Sequence, residues 1–236
     1  MNTTLAVLWL TEAEWQAVRL SLLVSVVSVA ASLPFGMGIA WVLARRAFPL
    51  KWVVETLINL PLVLPPVVTG YLLLVTFGTQ GWIGSYLDEW FGLRIVFTWK
   101  GAALASAVIA FPLMVRAIRV AFAAVDPRLE RAARTLGAGP IDTFFTISVP
   151  LAMHGIVAGS VLAFARSMGE FGATIMIAGS IPGETRTIPL EIFNLLESPG
   201  GVDQATRIVL ISVFISAAAL IVAEYLDRRE RRLLAR

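Results

Sequence analysis

Residues 20–43 run for 24 positions without one charged side chain, and about 20 apolar residues in a helix are enough to cross the hydrocarbon core of a bilayer. In that solvent the backbone must satisfy its own N–H and C=O groups, so a run of this length is committed to helix. The pattern recurs. No charge falls between Thr56 and Leu87, which predicts a second helix over about 56–77, kinked by Pro61, Pro65 and Pro66, ahead of a loop marked by Gly78, Gly81 and Gly84. A third is expected over about 99–122, where the long side chains of Arg116 and Arg119 can snorkel to the interface. The fourth, about 150–178, begins after Pro150 and is regular to about Ala165. Gly169, Gly172 and Gly179 then interrupt it, so it reads as a bent or broken span. A fifth is expected over about 208–226. The fold class expected is all-α: one membrane domain, 1–236, built as a polytopic bundle of about five transmembrane helices.

Composition narrows the chemistry. Hydrophobic types make up 58% of the chain and charged types 15%, a balance that no ordinary soluble domain carries. The absence of cysteine excludes disulfide frameworks, thiolate zinc sites and Cys nucleophiles. His154 is the single histidine, too little for a His-based metal cluster in one chain. Gly-x-Ser-x-Gly, His-Glu-x-x-His and paired intramembrane aspartates are all missing, which speaks against a membrane-embedded enzyme. Met1 to Ala17 carries Glu12 and Glu14 where a cleavable leader needs Lys or Arg, so this segment is expected to be retained.

Five crossings put the termini on opposite sides, and the charges say which is which. Arg45, Arg46, Lys51, Arg116, Arg119, Arg128, Arg131, Arg134, Arg228, Arg229, Arg231, Arg232 and Arg236 share one side, 13 of the 19 basic residues. The other side holds Arg19, Arg94, Lys100, Arg186 and Arg207 beside eight acids, Glu12, Glu14, Asp88, Glu89, Glu184, Glu191, Glu197 and Asp203, while Arg166 lies within the fourth span. The excess of Lys and Arg marks the cytoplasmic face, so the N-terminus is expected outside and the C-terminus inside. Trp9, Trp15, Trp82, Trp90 and Trp99 then fall near the outer boundary, with Trp41 and Trp52 near the inner one. The basic charge is accounted for by lipid headgroups and the inner face, which leaves nothing to suggest nucleic acid.

Between the third and fourth spans lies a cytoplasmic segment, 126–148, of a different character. Asp126 is placed to cap a helix whose first residue is Pro127, and Arg128 to Leu136 should form a short helix that ends at Gly137. A second helical piece can restart around Pro140. An arginine-loaded helix-glycine-helix elbow is a knob suited to a groove on another protein, or else a plain solvated connection.

This stretch resembles the EAA motif of ABC importer permeases, which runs Glu-Ala-Ala, three residues, Gly, nine residues, Ile, one residue, Leu-Pro. The chain supplies Ala132 and Ala133, then Gly137, Ile147 and Pro150 at those spacings. It departs with Arg131 in place of the Glu and Val149 in place of the Leu, and Glu130 stands one position early. Four segments, Leu60 to Gly70, Arg131-Ala-Ala-Arg-Thr-Leu-Gly-Ala-Gly139, Ala163-Phe-Ala-Arg-Ser-Met-Gly-Glu-Phe-Gly-Ala173 and Ile181-Pro-Gly-Glu-Thr-Arg-Thr-Ile-Pro189, resemble the corresponding parts of molybdate permeases, with sulfate permeases as their nearest relatives.

The resemblance implies the fold of a type I ABC importer permease in a bacterial inner membrane. It further implies a second copy of the permease, two ATP-binding subunits and an extracytoplasmic oxyanion-binding protein as partners, besides membrane lipid. The cargo would be molybdate, with sulfate, thiosulfate or tungstate as alternatives. The chain has no Gly-x-x-x-x-Gly-Lys-Ser/Thr phosphate loop, so it is expected to bind no cofactor itself, and ATP and Mg would be used by the partner ATPase. The residues expected to couple to that ATPase are Glu130, Arg131, Ala132, Ala133, Gly137, Ala138, Gly139, Pro140, Ile147 and Pro150. Pro61, Pro65, Pro66 and Gly70 are candidates for the translocation path, since carbonyls freed by proline are tolerated where water reaches them; a simple bend around a neighbouring helix is the alternative. Arg166 and Glu170 are four apart, so a helix would pair them beside Gly172, as a gate or as a structural ion pair. A passive channel or secondary transporter would need no EAA elbow.

Overall fold

The computed structural model describes residues 10–234, with side chains except at 222–224 and 226–234. Trp9, Arg236 and the side chains of Arg228, Arg229, Arg231 and Arg232, which entered the reading of orientation, lie outside the described residues. Among the described residues there are helices and turns and no strand, in keeping with the expected class.

The first helix, α1 (Glu12–Arg45), starts earlier than the charge-free run because it is capped. Thr11 Oγ1 accepts from the Glu14 amide at 3.3 Å, and the Glu14 carboxylate accepts from the Thr11 amide at 2.7 Å, so two amide donors at the helix start are satisfied reciprocally. Helix α5 (Trp99–Ala124) forms the centre of the bundle, burying Ala102, Ala105, Ile109, Met114, Ile118 and Phe122. The two helices run in the same direction: Val24 packs among Ala102 and Ala105 at one end, while at the other Arg45 Nη2 donates to the Val125 carbonyl at 2.8 Å. Helix α8 (Met153–Met168) packs on α5 and α1, and it also lies against α11 (Val202–Leu234), where Met168 and Ile208 are buried together.

The second expected span is not one kinked helix over 56–77. It is two helices, α2 (Lys51–Val63) and α3 (Pro66–Phe77), bent by 111° at the break between them. Pro65 restricts Leu64, and Pro66 restricts Pro65, to extended backbone. Leu64 accordingly sits at ψ 141° and Pro65 at ψ 134°, and no helix passes through two consecutive extended residues. Even so, α2 meets α5 beside the elbow, where Glu55 and Arg119 are 2.9 Å apart, and α3 reaches the opposite half of the bundle, where it packs on α9 (Gly172–Ala178).

Two further helices were not expected. Helix α4 (Gly84–Phe91) follows the glycine loop, and α10 (Ile188–Glu197) is an amphipathic helix that packs on α11 and α1. The elbow is made of α6 (Pro127–Thr135) and α7 (Pro140–Leu151), the latter containing one π-helical turn at Phe144–Ser148. A 74° bend separates α7 from α8. Three helices are long and apolar enough to cross a membrane, or up to five if each bent pair is one span.

Candidate functional site

The elbow is built by local rules and then fixed by distant ones. Asp126 Oδ1 accepts from the Arg128 amide at 2.8 Å and Pro127 opens α6, as expected of a cap and a first helical residue. At the far end, Gly137 takes φ +95°, and its amide donates to the Arg134 carbonyl while that of Ala138 donates to Ala133, both at 3.1 Å. This double closure of a helix end needs a left-handed residue, which is why glycine stands there. Pro140 then opens α7.

Glu130 does not face outward. Its side chain is 10% exposed, and Oε1 accepts from Arg45 Nε at 3.0 Å and from Ser148 Oγ at 2.8 Å. It thereby ties α6 both to the end of α1 and to the second arm of the elbow. Behind the arms, Phe144 packs edge-on against Trp41 with ring centroids 5.6 Å apart, and tilted against Phe122 at 5.9 Å. Trp41, expected among the headgroups, instead lines the socket that seats the elbow, whereas Trp15, Trp52, Trp82 and Trp90 are exposed.

The front of the elbow is unlike its back. Leu136 is 89% exposed and Ile141 74%, with Leu129 and Phe145 exposed beside them. Arg131, Ala132, Gly137, Gly139, Pro140 and Pro150 are also exposed, while Ala133, Ala138 and Ile147 are half-buried. Arg45, Arg46, Arg131 and Arg134 line a cavity of about 320 Å³ at its edge, with Glu130 as the single carboxylate. A braced, cationic knob with an apolar front is suited to insertion into a cleft, since aliphatic side chains this exposed gain only when another surface covers them.

Of the residues marked for a path or gate, Arg166, Glu170, Gly172, Pro66 and Gly70 gather around α9 and its break from α8, and Pro61 and Pro65 do not. Arg166 Nη1 lies 2.8 Å from Glu170 Oε2 and the Glu170 side chain is 2% exposed; the expected pair forms, although α8 ends at Met168 and the two residues do not share a helix. Glu170 Oε1 also accepts from the Ala173 amide at 2.9 Å, so the carboxylate holds the end of α8 and the start of α9 together. Pro66 and Gly70 lie against α9: a Cβ on Gly70 would stand 2.7 Å from Ala173 Cα, and one on Gly172 would stand 2.9 Å from Pro66 Cβ. Glycine at 70 therefore serves the close approach of α3 to α9. Pro61 is half-buried within α2, and Pro65 is exposed at the break.

Arg45, Ser148, Trp41 and Phe144, which complete the elbow, were missed by sequence reasoning. Their partners are 18 to 85 residues away for the Glu130 network alone, and no local pattern encodes such a contact.

Comparison with known proteins bears on the whole arrangement. Residues 32–232 match the family model described as "Binding-protein-dependent transport system inner membrane component". The chain is 55% identical over 222 residues to the molybdenum transport system permease protein ModB of Escherichia coli (strain K12), covering 94% of this chain and 97% of that protein. With ModB of Haemophilus influenzae it shares 51% identity over 221 residues, covering 94% and 96%. Among solved structures, a bacterial alginate ABC transporter in complex with an alginate pentasaccharide-bound periplasmic protein superimposes with a TM-score of 0.73 at 17% identity, over 97% of this chain and 83% of that one. That likeness concerns the fold alone.

Proposed function

The chain belongs to the family of binding-protein-dependent transport inner membrane components, and from that premise we propose that it is the membrane-spanning permease subunit of an ATP-driven importer for molybdate. The observation that carries the reading is the elbow, held from behind by Glu130 and Phe144 and presenting Leu136 and Ile141 in front. A chain without a phosphate loop must draw its energy from a partner, and this knob is where a separate ATPase subunit, using ATP and Mg, would seat.

The elbow end carries Arg45, Arg46, Lys51, Arg116, Arg119, Arg128, Arg131 and Arg134, which supports placing it in the cytoplasm, with the N-terminus outside and the C-terminus inside. ATP-driven closure of two ATPase subunits would displace two elbows. The braced contact of Glu130 with Arg45 would then pass that displacement to α1 and the bundle above. The α3 face turned away from α9, with Val68, Leu72 and Val75 exposed, is suited to meeting a second copy of the permease across the path, and Pro65 lies at its entrance. Glu170 is a carboxylate and would repel an oxyanion, so it and Arg166 act as a pin at the α8–α9 break and contribute no direct ligand.

The cargo is assigned from the relatives' own. Proteoliposomes holding the chain with its ATPase and an oxyanion-binding protein should accumulate molybdate only with ATP inside, and excess sulfate should leave that uptake unchanged. Uptake without ATP would overturn the importer reading. Preference for sulfate, thiosulfate or tungstate would overturn the cargo.

A further inference from the structure

Five cations stand at the end of the bundle remote from the elbow, and three of them are neutralised within the chain. Arg94 pairs with Asp88 at 3.1 Å, Arg186 with Glu191 at 3.3 Å and Arg207 with Glu14 at 2.6 Å. The other two, Arg19 on α1 and Lys100 at the start of α5, have no hydrogen-bond or ion-pair partner among the described residues. Both line one open cavity of about 470 Å³, which also holds Glu184, Trp99, Leu20 and Leu23.

The lining says what kind of molecule belongs there. Two cations in one cavity call for an anion, but a carboxylate beside them would repel a group that is anionic throughout. A phosphate followed by an ammonium satisfies all three charges. The apolar part points the same way. Leu23 stands one helical turn below Arg19 and is 42% exposed, and Val26, 56% exposed, continues the same face of α1 toward the middle of the bundle. A charged mouth above an exposed aliphatic stripe, flanked by an indole, is the surface expected to hold a headgroup and the first part of its acyl chain. The volume also exceeds what one tetrahedral oxyanion would fill.

We propose that Arg19, Lys100 and Glu184 form a binding site for one zwitterionic aminophospholipid, phosphatidylethanolamine in class, in the leaflet facing away from the elbow. Arg19 and Lys100 hold the phosphate, Glu184 accepts from the ammonium, and an acyl chain follows Leu23 and Val26. The site joins α1, α5 and the loop before α10, so an occupied site bridges three elements at this end of the bundle.

The test is native mass spectrometry of the full chain purified in detergent. It would be equilibrated with equal amounts of phosphatidylethanolamine and phosphatidylglycerol bearing the same acyl chains. Wild type should retain phosphatidylethanolamine in preference. Arg19→Gln with Lys100→Gln should lose it roughly tenfold or more, each cation near a lipid surface contributing on the order of a fivefold change. Glu184→Gln should keep lipid but shift the ratio toward phosphatidylglycerol. The charge-preserving Arg19→Lys with Lys100→Arg, and the control Arg94→Gln, should behave as wild type. Four results would overturn the assignment: retention by the Gln double variant, loss in the charge-preserving one, phosphatidylglycerol preferred by wild type, or displacement of the lipid by millimolar inorganic phosphate.

Discussion

Replacing Glu130 by alanine tests the internal brace of the elbow. The Glu130 and Arg45 side chains are 10% and 11% exposed, and the carboxylate accepts from both Arg45 and Ser148. Removing one member of a buried ion pair costs about 3–5 kcal/mol. Arg45 keeps its bond to the Val125 carbonyl at 2.8 Å, and the network lies at the edge of the bundle. The lower bound, about 3 kcal/mol, therefore applies, which is about a hundredfold in the local opening of α6 and α7. Hydrogen exchange of the purified chain should show amides in 128–148 exchanging about a hundredfold faster, while those at the buried centre of α5 hold their rates. Glu130→Gln keeps an acceptor and loses only the charge, and about tenfold is expected. In a double-mutant cycle, adding Arg45→Met to Glu130→Ala should cost much less than Arg45→Met does alone. Unchanged exchange in Glu130→Ala, or strictly additive effects, would refute the brace.

Other consequences follow from the same geometry. Gly70→Val forces a Cβ to within 2.7 Å of Ala173 backbone and should destabilise the α3–α9 packing by about 1–3 kcal/mol or more, read as a lower melting temperature. Glu170→Ala removes both the partner of Arg166 and the acceptor for the Ala173 amide, so a loss of about 3 kcal/mol is expected in thermal unfolding, against a smaller loss for Glu170→Gln. Leu136→Arg alters a side chain that is 89% exposed. Melting of the isolated chain should stay within about 0.5 kcal/mol of wild type, while co-purification of the ATPase and ATP-dependent uptake should fall sharply. Gly137→Asp places a side chain at φ +95°, where roughly 1–2 kcal/mol of strain is expected, and should reduce uptake through a misdirected α7.

What could be read from the sequence follows the range of the interactions. The long spans were legible because charge-free runs and their basic flanks are local facts, and Arg45, Arg46 and Lys51 mark an end wherever the chain goes. The elbow's caps were legible for the same reason, since Asp126, Pro127 and Gly137 act on their own neighbours. The break at Leu64 was half legible: three prolines announced a disturbance, but an angle of 111° depends on how α3 settles on α9 through Gly70. Helix α10 had its signal in Thr187, Pro189 and Glu191, a cap, an early proline and an acid in the first turn, within a stretch read only for its resemblance. The inward turn of Glu130 and the pairing of Glu14 with Arg207 could not be seen, because their partners lie 85 and 193 residues away.

The chain has no cysteine, so Leu136→Cys creates a single attachment point at the front of the elbow. Labelled there with a short photo-crosslinker, the protein in membranes with its ATPase and binding protein should join to the ATPase subunit, and the yield should change when ATP is trapped. Attachment to the extracytoplasmic binding protein, or labelling by reagents confined to the outer side, would contradict the assignment of the elbow as the seat of the ATPase.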